Sequence, residues 1–249
     1  MREHFKRLAR AAACATIVLL APSAGQAAIL LPGGTVTFTA ADILVDPVNP
    51  LFDVEGSVIQ ALTGDSPGGE LFYTGTLAAA VVRNSAGTLD FYYQVSNDAT
   101  SIDSLTRETN ASFRSATLPP TIFATEVFYR TDDANLGAFG FTTGDAGATP
   151  RTADRTTNGR VVGFNFVALA PGAEIDPGDT SMILVVRTNA LTFMNGTSSV
   201  INGATDSVAT FQPLSAVPEP ASLLLLSSAF GAASYMARHR VKRRKPTSA

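Results

Sequence analysis

Between residues 29 and 215 the apolar residues recur with period two, in short runs, and no long stretch shows the 3.6-residue period of an amphipathic helix. That alternation constrains the chain more than any other feature, because only a strand places successive side chains on opposite faces. The runs are rich in β-branched and aromatic residues: Thr35–Thr39, Leu71–Leu77, Thr88–Val95, Thr121–Tyr129, Arg160–Val167 and Ser181–Thr188. Leu89, Phe91, Tyr93 and Val95 fall on one face, with Asp90, Tyr92, Gln94 and Ser96 on the other. Val162, Phe164 and Phe166 alternate with Gly163 and Asn165 in the same way. Clusters of turn-forming residues separate the runs, at Gly64–Gly69, Asn84–Gly87, Asp132–Asn135, Gly144–Gly147, Pro171–Gly172 and Asp176–Asp179. An all-β fold is predicted, an antiparallel β-sandwich of about eight to ten strands whose two sheets each bury one face against the other. Residues 143–159, polar and rich in Gly, Thr and Asp, read as a long exposed loop, and 212–216 as a short linker. No internal repeat is visible.

The two ends have a different character. Residues 1–27 carry Arg2, Lys6, Arg7 and Arg10 ahead of an apolar run that ends at Pro22, and then small residues up to Ala27. This is the layout of a secretory signal peptide, cleaved after Ala27, with Ala28 as the near alternative. An uncleaved anchor would need a longer apolar run than Ala11–Ala21. At the other end, Val217-Pro218-Glu219-Pro220 is stiff, since each proline fixes its own φ and biases the residue before it to extended geometry. Ala221–Ala237 follows without a charge, 17 residues that as a helix span ~25 Å, the short end of what crosses a bilayer. Arg238, Arg240, Lys242, Arg243, Arg244 and Lys245 then place six positive charges in eight residues, the pattern of a cytoplasmic flank.

Pro-Glu-Pro, a short apolar helix and a terminal basic cluster, in that order, resemble the PEP-CTERM sorting signal of exported bacterial proteins. An ordinary tail anchor accounts for the apolar run and the basic flank, but not for Val-Pro-Glu-Pro set directly against the helix. The resemblance covers about 33 residues. It implies recognition by an exosortase, a multipass membrane protease or transpeptidase, and removal of the tail near Pro-Glu-Pro. It also implies a cell-surface, exopolysaccharide or biofilm setting. The same tail is elsewhere labelled an ice-binding-protein C-terminal motif, although nothing in its chemistry contacts ice. Leu89–Asp98 and Gly159–Phe166 also resemble ectodomains carried by such tails. The expected organisation is therefore a signal peptide at 1–27, an ectodomain at 28–211, a linker at 212–216 and a sorting signal at 217–245. The expected route is signal peptidase and the general secretion machinery, then an inner-membrane precursor with a periplasmic ectodomain, and finally the cell surface or extracellular space.

Charge and residue inventory narrow the chemistry of the ectodomain. Residues 28–220 hold 20 Asp and Glu against eight Arg, a net of −12, which makes nucleic acid or an anionic membrane surface a poor partner. The same residues contain no Lys, His or Cys; the single cysteine, Cys14, lies within the signal peptide. Ser-His-Asp and Cys-His nucleophiles, a Ser-Lys dyad, His-ligated zinc and disulfides are thereby excluded. Only carboxylate chemistry remains. A glycosidase would need two facing acids in a cleft, and the chain has no tryptophan to line a sugar site. Asp132, Asp133, Asp176 and Asp179 sit on turns as weak calcium candidates, at spacings that match no EF-hand loop, and Asp and Asn populate turns for local hydrogen bonding in any case. Asn110 and Asn195 head formal glycosylation sequons, here read as chance. No cofactor and no enzymatic activity are expected. A structural surface or matrix protein is the first functional reading. A carbohydrate-binding module stacking sugars on Tyr73, Tyr92, Tyr93 and Tyr129 is the alternative, with buried tyrosines favouring the first and a coplanar exposed row the second.

Overall fold

A computed structural model describes residues 28–43, 53–65, 68–114, 122–166, 174–202 and 204–214. They form twelve strands and two single-turn 3-10 helices, Ala40–Asp42 and Gly137–Phe139. The expected signal helix and the expected helix at 221–237 lie outside the described residues. Among the described residues no helix is long and apolar enough to cross a membrane.

The strands make two six-stranded sheets in which every strand pair is antiparallel. The first runs β1 (Ala28–Ile29), β7 (Thr125–Arg130), β10 (Ile183–Thr188), β5 (Leu89–Asn97), β4 (Leu71–Arg83), β3 (Asp53–Asp65). The second runs β12 (Ala204–Leu214), β11 (Thr192–Asn202), β6 (Arg107–Asn110), β9 (Val162–Asn165), β8 (Thr152–Arg155), β2 (Thr35–Thr37). Register in the first sheet sets Val81, Phe91, Val186 and Val127 in one row. Those side chains share a single apolar core with Ala153, Val162, Phe164 and Val200 of the second sheet. The alternation of Val162, Phe164 and Phe166 is thus a true inward face, all three being fully buried.

The neighbouring row of the first sheet, Ala80, Tyr92, Val185 and Phe128, points the other way and is also buried. A second apolar cluster covers it, with Leu136 and Phe141 inserted from the segment after β7. Gln94 pins that segment down: its Nε2 donates to the carbonyls of Thr142 (2.7 Å) and Ser181 (2.9 Å), while its Oε1 accepts from the Thr142 amide (2.8 Å). β5 is therefore covered on both faces. Its alternation marks two differently covered surfaces instead of a core face and a solvent face.

Four expectations need correction. There are twelve strands among the described residues, not eight to ten, because β3, β6, β8, β11 and β12 carry too much Gly, Thr, Ser, Asn and Asp to read as apolar runs. The expected loop at 143–159 contains β8 and buries Ala148, Ala153 and Arg155. The expected linker at 212–216 is strand as far as Leu214; Pro213 is tolerated there because β12 is an edge strand, where a missing N–H is cheap. The run Thr121–Tyr129 begins its strand only at Thr125, with Ile122 making an isolated bridge to Arg114.

Candidate functional site

The sorting motif Val217–Pro220 and the basic residues Arg238–Lys245 lie outside the described residues, as does Ala27. Ala28 is the first residue of β1 and pairs with Val127, its side chain packing on the core. Cleavage after Ala27 leaves that pairing whole, whereas cleavage after Ala28 removes half of β1.

All four tyrosines offered as stacking faces are buried, the most exposed being Tyr129 at 7%. Tyr73 reaches from β4 across to the β11–β12 hairpin, donating to the Val200 carbonyl (2.9 Å) and accepting from the Asp206 amide (3.1 Å). Burial pushes its phenol up to about 12. Tyr93 donates to the carbonyl of Phe211 on edge strand β12 (3.1 Å), and burial raises its phenol too. Tyr92 hydrogen-bonds Arg130, and Tyr129 meets Phe38 edge-on with centroids 5.6 Å apart. Two of the four bolt one sheet to the other through their hydroxyls. They do not form the exposed platform that carbohydrate stacking requires.

The calcium candidates fall in two separate turns. Asp132 accepts from Arg130 Nη2 (2.7 Å) and from the Ala134 amide (3.1 Å), so a cation already faces it; desolvation raises its carboxyl, but Arg130 and that amide together hold it below the usual range. Asp133 lies one residue on and receives a long contact from Thr143 Oγ1 (3.4 Å). Asp176 accepts from Ser104 Oγ (2.6 Å), and Asp179 closes the turn through its amide on the Asp176 carbonyl (2.9 Å). Desolvation, then the charges of Asp145 and Asp176, raise the Asp179 carboxyl. Among the described residues no three acidic, His or Cys side chains converge to hold a metal. The sequon at Asn110 points inward and is 1% exposed, closed to a glycan in the folded chain.

Two polar sites were not legible as such in the sequence. The first is a cavity of about 310 Å³ beside β1, lined in part by Ile29, Leu31, Ile122, Glu126 and Arg155. Its lip is apolar, with Ile29 and Leu31 each about two-thirds exposed, and its buried wall is Arg155, 3% exposed. Among the described residues no carboxylate pairs with that guanidinium. Instead it donates to four carbonyls: Gly159 (3.1 Å), Leu30 (3.3 Å), Phe123 (3.0 Å) and Phe113 (2.9 Å). Burial lowers its pKa to about 10, which leaves it charged at neutral pH. Arg155 thus ties the ends of the β1–β7 pair to the segments at Phe113 and Gly159, and most of its donors are spent on that.

The second lies between the sheets. Glu108 and Asn110 on β6 face inward, opposite Val200 and Ser198 of β11. Asn110 Nδ2 donates to Glu108 Oε2 (2.9 Å), Ser198 Oγ donates to Asn110 Oδ1, and Ser198 Oγ meets Thr210 Oγ1 at 2.8 Å. All four are buried, and Glu108 Oε1 has no hydrogen-bond partner among the described residues. Desolvation pushes the Glu108 carboxyl up to about 8, against smaller opposing effects of Asn110 and Arg107, so it is protonated at neutral pH. Arg107 faces the other side of the sheet, bonded to Asp154 and Asn165 above Gly163. The run Arg107–Asn110 is uniformly polar, so nothing in it marks which side chains turn inward.

No protein-family model, no curated protein and no solved structure matches this chain.

Proposed function

We propose that this chain is an exported bacterial cell-surface or extracellular-matrix protein, sorted by its C-terminal signal through an exosortase. In this reading its two sheets form a β-sandwich ectodomain with a structural, exopolysaccharide- or biofilm-associated role and no catalytic turnover. The observation that carries the reading is the tail itself: Val217–Pro220, the uncharged Ala221–Ala237 and the basic Arg238–Lys245, in that order. The burial of Tyr73, Tyr92, Tyr93 and Tyr129 supports a structural role over carbohydrate binding, since it leaves no aromatic platform among them. A core that closes without any cysteine suits an exported domain of this size.

The test is topology combined with processing. Reporter fusions should be active in the periplasm when joined after Ala216 and in the cytoplasm when joined after Lys245. Substituting Glu219→Ala should leave a full-length membrane-bound precursor in the native host. Opposite reporter signs, or a Glu219→Ala protein released like the wild type, would contradict the proposal.

A further inference from the structure

Three side chains in the inter-sheet core stand in the order a condensation reaction requires. Ser198 and Asn110 are directly opposite each other on antiparallel strands β11 and β6. The Ser198 hydroxyl lies against the oxygen of the Asn110 carboxamide, and the nitrogen of that same carboxamide lies on Glu108. A hydroxyl nucleophile, an electrophilic carbonyl carbon and a carboxyl group at the leaving nitrogen therefore share one water-excluded site, where Ser198, Glu108 and Asn110 are each no more than 1% exposed. Directly paired cross-strand residues bring their Cβ atoms to ~4.5–5.5 Å; an ester puts three bonds between those atoms, so the two strands close by about an ångström as it forms.

We propose that Ser198 and Asn110 become joined by an intramolecular ester, with Glu108 as the acid–base group. The Ser198 oxygen attacks the Asn110 side-chain carbonyl carbon, forming the C–O bond. The serine proton goes to the carbonyl oxygen it is hydrogen-bonded to; Glu108 passes a proton to the amide nitrogen as the C–N bond breaks, and regains one from that oxygen as the carbonyl re-forms. Ammonia leaves, no oxidant or co-reactant is consumed, and Glu108 ends as it began. A neutral carboxyl is what this role needs, because only the protonated form can supply the leaving nitrogen. The buried setting that raises the Glu108 pKa provides it. Exclusion of water then protects the ester from hydrolysis. The product ties β11 to β6 covalently in a domain whose residues 28–220 contain no cysteine. A pull applied at Leu214 loads β12 first and β11 next, so the tie would stop unzipping at β11.

The experiment is mass spectrometry of the full-length chain, expressed in an exporting host and digested with trypsin. The peptide Glu108–Arg114 should be recovered joined to the fragment that begins at Thr188, lighter than the two together by one ammonia. Hydroxylamine at alkaline pH should separate them. Ser198→Ala and Glu108→Gln should each abolish the joined species while leaving the β-type circular dichroism spectrum intact. Recovery of the two wild-type peptides separately, with Asn110 an intact amide, would overturn the proposal. So would loss of ammonia at Asn110 without joining, since that is a succinimide. A link that forms equally well in Glu108→Gln would overturn the role given to Glu108.

Discussion

Glu108 is the residue at which burial and ionisation conflict most directly. Its carboxyl holds a proton in the folded chain up to about pH 8, whereas its ordinary value is 4.5. Between those two values the folded state binds a proton that the unfolded state has released. The stabilisation is fully present below pH 4.5, is lost progressively as pH rises to 8, and declines no further above that. Over the whole window the change is on the order of a few kcal/mol. Urea unfolding at pH 5 and pH 8.5 should show this loss. Glu108→Gln, neutral at both values, should lack it when both proteins carry Ser198→Ala, so that neither can form the ester. Parallel pH dependences in the two proteins would mean that Glu108 ionises in the fold without penalty. Phe164 poses the simpler case. It is fully buried in the shared core and stacks against Phe38 at 6.1 Å. Phe164→Ala should cost ~3–5 kcal/mol, read as a drop in the urea midpoint at unchanged slope, and a cost below about 1 kcal/mol would remove the ring from the core.

Elements read well from the sequence where two adjacent strands both carry large apolar residues. β5 and β10 fall inside the expected runs Thr88–Val95 and Ser181–Thr188 to within two residues at their ends, because Leu89, Phe91, Tyr93, Ile183 and Val185 leave little choice of face or period. The long hairpin of β11 and β12 was illegible for the opposite reason. Its inward positions include Ser198 and Thr210, which look like surface, beside Val200, Ala204 and Val208. Polar side chains bonded to one another inside a core resemble solvent-facing ones until both strands are seen together. The same blindness hid β8, where Arg155 is 3% exposed because four carbonyls solvate it in place of water. The tyrosines were correctly placed in strands, yet the hydroxyl partners of Tyr73 and Tyr93 lie more than a hundred residues away, beyond the reach of any local pattern. Tyr73→Phe keeps the ring but removes the hydroxyl between Val200 and Asp206. That should cost ~1–3 kcal/mol and speed amide exchange in β11 and β12 relative to β4 and β5. Uniform exchange across both sheets would show that Tyr73 does not bolt the hairpin down.

For the whole molecule, the fold and the two ends of the chain carry separate information. The all-β character follows from period-two alternation and is present, among the described residues, as two antiparallel sheets. The proposed function rests on the tail, which carries the strongest chemical contrast in the sequence: Pro-Glu-Pro, an uncharged span and a dense basic end, beside residues 28–220 of net −12. Under the proposal, a charge boundary of that kind orients the chain across a membrane, and Pro-Glu-Pro marks where the tail is cut. The described chain ends its last strand at Leu214, so a cut near Val217–Pro220 would leave β12 intact. The measurement that tests the account most directly is the C-terminal mass of the protein isolated from its own host. Processing at the sorting motif leaves a terminus between Val217 and Pro220, with Ala221–Ala249 missing. Recovery of Tyr235–Lys245 peptides on the mature protein would contradict it and reduce the tail to a membrane anchor.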